Sequence, residues 1–190
     1  MNDLYRYIKM DFAETDGSLL FYSKSKHLTN RYLSNFTNIS AGIMIPETFP
    51  LAELIGYRFP SIENAFQAAK YCLAGSLKIA LELRHKTPSE SKSMGSKSGM
   101  KKCGIVLDVI RWNQLSYPIM LELVRERLKC DELYRLIAKY CVENKIKLKH
   151  FERSGDKSFW GGYFKNGIWY GYNSLGRIIE IAASEYRYKI

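Results

Sequence analysis

Histidine and paired cysteine are what this sequence most lacks. The three histidines, His27, His85 and His150, stand apart from one another and from the four cysteines, Cys72, Cys103, Cys130 and Cys141. With no Cys-x-x-Cys pair and no histidine at ligand spacing, neither a zinc site nor a disulfide framework is signalled, and free cytosolic thiols are expected. Ser/His/Asp and Cys/His nucleophile arrangements are poorly supported on the same residues. The glycine-rich stretches match neither a P-loop nor a dinucleotide fingerprint, because the strand–turn–helix context both require is missing. No metal and no cofactor are therefore expected. Long apolar runs are also absent, and residues 1–9 hold no uninterrupted apolar core like that of a signal peptide. The expectation is a soluble, cytoplasmic protein with no membrane partner. The chain shows no internal repeat and no heptad array.

Acidic residues are in deficit. Against 29 Lys and Arg there are 19 Asp and Glu, a formal charge of +10, and such a field attracts the phosphates of nucleotides or nucleic acid without choosing between them. At 190 residues the chain suits a single domain, 1–190, large enough to bury a core unaided by disulfide or metal. An aromatic share of 14%, with 14 Tyr, supplies many rings that can both stack and hydrogen-bond.

The clearest local signal lies in residues 57–71. Pro60 cannot continue a helix from before it, and Ser61 is a preferred N-cap. Ile62, Ala65, Phe66, Ala69 and Leu73 follow at helical spacing and predict one apolar stripe, with Glu63, Gln67 and Lys70 along its edge. The helix dipole favours the ionised form of a first-turn carboxylate, so Glu63 suits a base, a nucleophile or a cation stabiliser better than an acid. The same dipole also favours acidic first turns in ordinary helices. Gly75 is the expected stop.

Elsewhere the pattern alternates between short extended pieces and helices. Residues 19–22 read as a strand after the Asp16-Gly17 turn, 33–36 as an irregular loop, and 37–59 as loops and short strands. A helix is predicted over 77–85, then a capping box, Thr87-Pro88-Ser89-Glu90. Residues 91–102, rich in Ser, Lys and Gly, read as a solvated linker, with a phosphate-facing basic loop as the alternative. An apolar segment at 107–112 precedes a helix starting at Pro118. Asp131 is placed as cap of the next helix, with Leu133, Leu136, Ile137 and Tyr140 on one face. Alternation over 145–152 predicts a strand with Ile146, Leu148, His150 and Glu152 on its inner side. Asn166-Gly167 is a hairpin signal, and Leu175, Ile178, Ile179 and Ala182 share one face of a last helix. The sum is a mainly α (α+β) chain with small antiparallel β elements and a C-terminal hairpin followed by a helix.

What remains for chemistry is acids, amides and rings: Glu63, Glu152, Asp156, Trp160, Asn35 and Asn173. Such a set suits cleavage of a ribosyl bond. A carboxylate stabilises an oxocarbenium-like transition state, stacking and hydrogen bonds hold the leaving base, and basic residues hold phosphate.

Several segments, in order, carry a resemblance. Phe21-Tyr22-Ser23, Leu33-Ser34-Asn35-Phe36, Phe59-Pro60-Ser61-Ile62-Glu63 with Phe66-Gln67-Ala68 and Lys70, Arg111-Trp112, and Trp160-Gly161 followed by Gly171-Tyr172-Asn173-Ser174-Leu175-Gly176-Arg177 are similar to the YbiA-like, or NADAR, family. The resemblance covers about residues 21–187. It implies a compact, mainly helical domain with small β elements, and an N-glycosidase activity. Members of that family act on ribosylamino-pyrimidine phosphate intermediates of riboflavin synthesis or remove ADP-ribose from guanine bases. Carried over, Glu63 matches the essential glutamate and Glu152 a second family acid. Tyr22, Asn35, Phe36, Lys70, Trp112, Trp160, Gly161, Asn173 and Arg177 would bind substrate, with Trp160 as the stacking platform for the base.

Two departures stand out. Lys157 occupies the place of a family aspartate three residues before Trp160, and Asp156 lies one residue further back. The stretch between Phe36 and Tyr57 is longer than is typical of the family. The expected partner is a nucleotide-like or ADP-ribosyl substrate, free or on nucleic acid. The rival reading is a non-catalytic basic module that binds nucleotide or nucleic acid, whose affinity would fall steeply with salt.

Overall fold

The computed structural model describes residues 16–153 and 155–187. In chain order they form β1 (Leu19–Phe21), α1 (Leu28–Tyr32), β2 (Ile43–Met44), β3 (Arg58–Phe59), α2 (Ile62–Leu73), α3 (Leu77–Glu82), α4 (Pro88–Met94) and α5 (Lys97–Lys102). Then follow α6 (Val109–Cys130), α7 (Glu132–Glu143), β4 (Leu148–His150), β5 (Tyr163–Lys165), β6 (Ile168–Tyr170) and α8 (Ser174–Arg187). The fold is mainly α with small strand pairs, as expected. The chain divides into two compact units, Asn35–Asp131 and the described residues before and after that segment.

The unit Asn35–Asp131 is assembled on α2. Ser61 is extended, at φ −151° and ψ 164°, and its Oγ accepts the N–H of Asn64, the cap the sequence predicts. Gly75, at φ 77°, follows the last turn, and its N–H and that of Ser76 donate to the carbonyls of Cys72 and Tyr71. The sequence stripe predicts one buried face, yet ten of the twelve residues of α2 are buried. Ala65, Ala68 and Ala69 allow close approach, and α3, α4 and α6 pack round the helix.

Two expectations in this unit are corrected. Residues 91–102 are not a solvated linker: they belong to α4 and α5, with Ser91, Gly95 and Met100 buried. Pro118 does not open a helix but lies inside α6. An interior proline costs about 3 kcal/mol or more. Burial of Trp112, Ile119, Met120, Leu123, Val124 and Leu128 on α6, each worth about 1.5–3 kcal/mol, outweighs it. Asp131, directly before α7, also pairs with the fully buried Arg127, Oδ2 to Nε 3.2 Å.

The other unit places β1 beside β4. The pairing is parallel, Leu19 opposite Leu148 and Phe21 opposite His150, whereas β2 with β3 and β5 with β6 form the small antiparallel elements expected. The predicted strand over 145–152 is shorter, because Lys145 adopts φ 58° and only Leu148–His150 pair with β1. The hairpin is as predicted: β5 and β6 are antiparallel, with Asn166 at φ 50° and Gly167 at φ 77° in the turn. On α7 the buried residues are Tyr134, Ile137, Ala138 and Cys141, and Leu133 is 40% exposed, so the inner face is rotated from the predicted one. Leu175, Ile178, Ile179 and Ala182 of α8 are buried as expected. No helix among the described residues is long and apolar enough to cross a membrane.

Removing one member of a buried ion pair strands the other charge, at a cost of about 3–5 kcal/mol. Asp131→Ala is expected to lose that much in urea unfolding followed by circular dichroism. A loss under about 1 kcal/mol would show that Arg127 is satisfied without the carboxylate.

Candidate functional site

Glu63 sits in the first turn of α2 and is only 6% exposed. Its N–H donates to the carbonyl of Asn35 at 3.0 Å, and the Gln67 Nε2 donates to its Oε1 at 2.8 Å. Lys70, a turn further along, donates from Nζ to the Gly95 carbonyl at 3.0 Å. The ammonium lies 5.5 Å from the Trp112 ring centre and 6.0 Å from that of Phe66, and those two rings meet edge-on at 4.9 Å. Lys92 stands 5.3 Å from the Phe36 ring. Burial lowers the pKa of Lys70, the Lys92 charge lowers it further, and Glu63 opposes both. Asn35, Phe36, Glu63, Lys70 and Trp112 thus belong to one unit, and a carboxylate, a partly desolvated ammonium and aromatic edges share the surroundings of one helix.

Two amides complete this group. With Nε2 turned to the carboxylate, Gln67 keeps its Oε1 as a buried acceptor without a hydrogen-bond partner, and Asn35 Oδ1 is in the same condition. Asn35 Nδ2 donates to Met120 Sδ at 3.5 Å. A buried acceptor left without a donor costs about 1–3 kcal/mol. Gly95 was not singled out from sequence. A Cβ there would lie 1.9 Å from Gln67 Oε1, so this glycine seats Gln67 while its carbonyl holds Lys70. Its position in a Ser-, Lys- and Gly-rich run gave no sign of that.

The other unit carries a second group. Ser158 Oγ donates to Glu152 Oε2 and accepts the Gly161 N–H at 3.0 Å. Gly161 admits no side chain: a Cβ would meet the His150 carbonyl at 2.4 Å and Glu152 Cγ at 2.9 Å. The carbonyls of Phe159, Trp160 and Gly161 accept the N–H groups of Ser174, Leu175 and Asn173, which docks the start of α8 on the Trp160-Gly161 loop. Asn173, at φ 54°, commits its amide to β4, accepting from His150 N at 2.9 Å and donating to Leu148 O at 2.8 Å. It positions the loop through the backbone. Trp160 is half-buried against Phe159 at 4.9 Å, and Tyr22 rests on Phe151 at 5.1 Å. Arg177 is exposed on α8. Asp156 lies in the 3₁₀ turn Gly155–Lys157, and its side chain is outside those described. Ser158 is the residue sequence reasoning passed over here.

Among the described residues no cluster of three or more His, Cys, Asp or Glu could hold a metal ion. Burial, with Glu53 nearby, pushes the Cys72 thiol up to about 11, and burial with Glu180 pushes Cys141 to about 12, so neither is a thiolate at neutral pH.

The chain is similar to the NMR structure of the E. coli protein YbiA, with a TM-score of 0.64 over 95% of this chain and 90% of that chain, at 18% sequence identity. The fold is shared. By sequence, no protein-family model and no curated protein matches.

Gly95→Ala, whose backbone at φ −76° suits alanine, is expected to unseat Gln67 and lower stability by about 1–3 kcal/mol. Adding Gln67→Ala should recover part of that loss in thermal unfolding. Strict additivity of the two would show that Gly95 does not seat Gln67.

Proposed function

We propose that the chain is an N-glycosidase that hydrolyses the bond between C1′ of a ribose and a base or amine. The observation that carries this reading is the burial of Glu63 at the start of α2, held by Gln67, with Lys70 of the same helix beside Trp112 of α6. A YbiA-like fold supports it. The ribose belongs to ADP-ribose, as in ADP-ribosyl-guanine, or to ribose 5-phosphate, as in a ribosylamino-pyrimidine phosphate, and the substrate is free or carried on nucleic acid. The excess of basic residues suits either phosphate.

In this reading Glu63 is ionised. The carboxylate either accepts a proton from the water that attacks C1′ or stabilises the positive charge that develops there. Gln67 fixes the carboxylate through a hydrogen bond to Oε1. Glu152 or Asp156 serves as proton shuttle or 2′-hydroxyl partner, and Trp160 stacks on the base. Gly161 and Asn173 shape the loop that presents Trp160, and Tyr22, Asn35, Phe36, Lys70, Trp112 and Arg177 complete the substrate-binding set.

Glu63→Gln keeps the shape and removes the charge. Turnover of ADP-ribosylated guanine or of ribosylamino-pyrimidine phosphate, read by mass spectrometry of the released sugar phosphate, is expected to fall about 10²- to 10⁴-fold with the fold intact. Near-wild-type turnover would sink the assignment. Salt-sensitive nucleic-acid binding with no turnover of either substrate would favour a binding module instead.

A further inference from the structure

Ser158 decides what Glu152 can do. Its hydroxyl has one hydrogen to give, and its oxygen already accepts the Gly161 N–H at 3.0 Å, so that hydrogen goes to Glu152 Oε2. Ser158 is only 7% exposed, which keeps water from competing for its hydroxyl. The chain of donors therefore runs from Gly161 through Ser158 to Glu152, and the carboxylate stands at its receiving end.

The backbone holds both residues in place. Ser158 donates its N–H to the Gly155 carbonyl at 2.9 Å and accepts the Tyr172 N–H at 3.1 Å. Glu152 donates its N–H to the Gly162 carbonyl at 2.8 Å. With Oε2 engaged by Ser158, no donor among the described residues engages Oε1 of this half-buried side chain. Gly161, bonded to Ser158, is the immediate neighbour of Trp160, so the carboxylate and the ring are held by one short loop.

We propose that Ser158 is a positioning residue that holds Glu152 as a hydrogen-bond acceptor for the 2′-hydroxyl of a bound ribosyl group, so that the protein tells ribose from 2-deoxyribose. The inference takes its sugar from the N-glycosidase reading, and between the two roles open to Glu152 it selects the hydroxyl partner over the proton shuttle. A hydroxyl donating to a carboxylate is a charge-assisted bond. Loss of one such bond weakens binding by about 10- to 100-fold.

Wild-type protein is titrated with ribose 5-phosphate and with 2-deoxyribose 5-phosphate, and binding is followed by NMR. Ribose is expected to bind about 10- to 100-fold more tightly. Ser158→Ala should cut that preference below about threefold with little change in deoxyribose binding, and Ser158→Thr, which keeps the hydroxyl, should retain most of it. A merely structural serine would weaken both sugars alike. Equal binding of the two sugars by the wild type, binding of neither, or an undiminished preference in Ser158→Ala would overturn the proposal. Should the alanine variant fail to fold, loss of the preference in folded Ser158→Thr would overturn it as well. A preference that depends on Ser158, without turnover of any N-ribosyl substrate, would uphold the proposal and reject the glycosidase reading. Turnover of an N-ribosyl substrate by a protein indifferent to the 2′-hydroxyl would do the reverse.

Discussion

The side chain of Asn64 is the constraint on which the unit Asn35–Asp131 depends. Buried in the first turn of α2, its Nδ2 lies 2.8 Å from the carbonyls of Leu83 and Lys86 and from Ser91 Oγ, and its Oδ1 accepts from Ser61 Oγ. A buried amide is costly when unsatisfied and strongly orienting when satisfied. One residue thereby ties the start of α2 to the end of the α3 segment and to α4. Glu63 is its neighbour in sequence, so the carboxylate inherits that rigidity. A site on a helix whose first turn is fixed from several directions can hold a reactive group with little freedom to drift.

Much of this was legible in the sequence where the determinants were local. Ser61, Pro60 and Gly75 mark the ends of α2 because caps and stops act within a few residues, and Asn166-Gly167 marks its hairpin for the same reason. Long-range choices were not legible. Pro118 reads as a helix start when only its missing N–H is weighed, and the buried face of α6 overrides that preference. Residues 91–102 look solvated because Ser, Lys and Gly are polar or small. Ser91 is wanted by Asn64 and Gly95 by Gln67, and neither demand is visible from nearby residues. On the site, residue types singled out Glu63, and the resemblance placed Lys70 and Trp112 beside it in role. The service of Asn173 to β4 and of Ser158 to Glu152 emerged only from the fold.

Charge is handled differently in different parts of the protein. Arg127 is wholly buried and answered by Asp131, a pair whose worth lies in defining one arrangement rather than in net stability. Lys149 is answered by Asp16 and lies 4.5 Å from the Phe164 ring and 5.0 Å from that of Trp169. Lys70 is also placed against rings, yet its carboxylate neighbour Glu63 is engaged by Gln67. Burial lowers the Lys70 pKa and the Glu63 charge raises it, so the carboxylate offsets part of that desolvation.

The parallel pairing of β1 with β4 sets an order on synthesis. The two strands are separated by on the order of 130 residues, and all of Asn35–Asp131 leaves the ribosome between them. Leu19–Phe21 therefore emerges long before Leu148–His150 exists to pair with it. Throughout that interval two of its three side chains, Leu19 and Phe21, lack the burial that reduces their exposure to zero in the finished protein. The nascent chain carries an unpaired apolar edge for most of its translation, and any slowing of residues 35–131 lengthens the window in which that edge can pair with another chain.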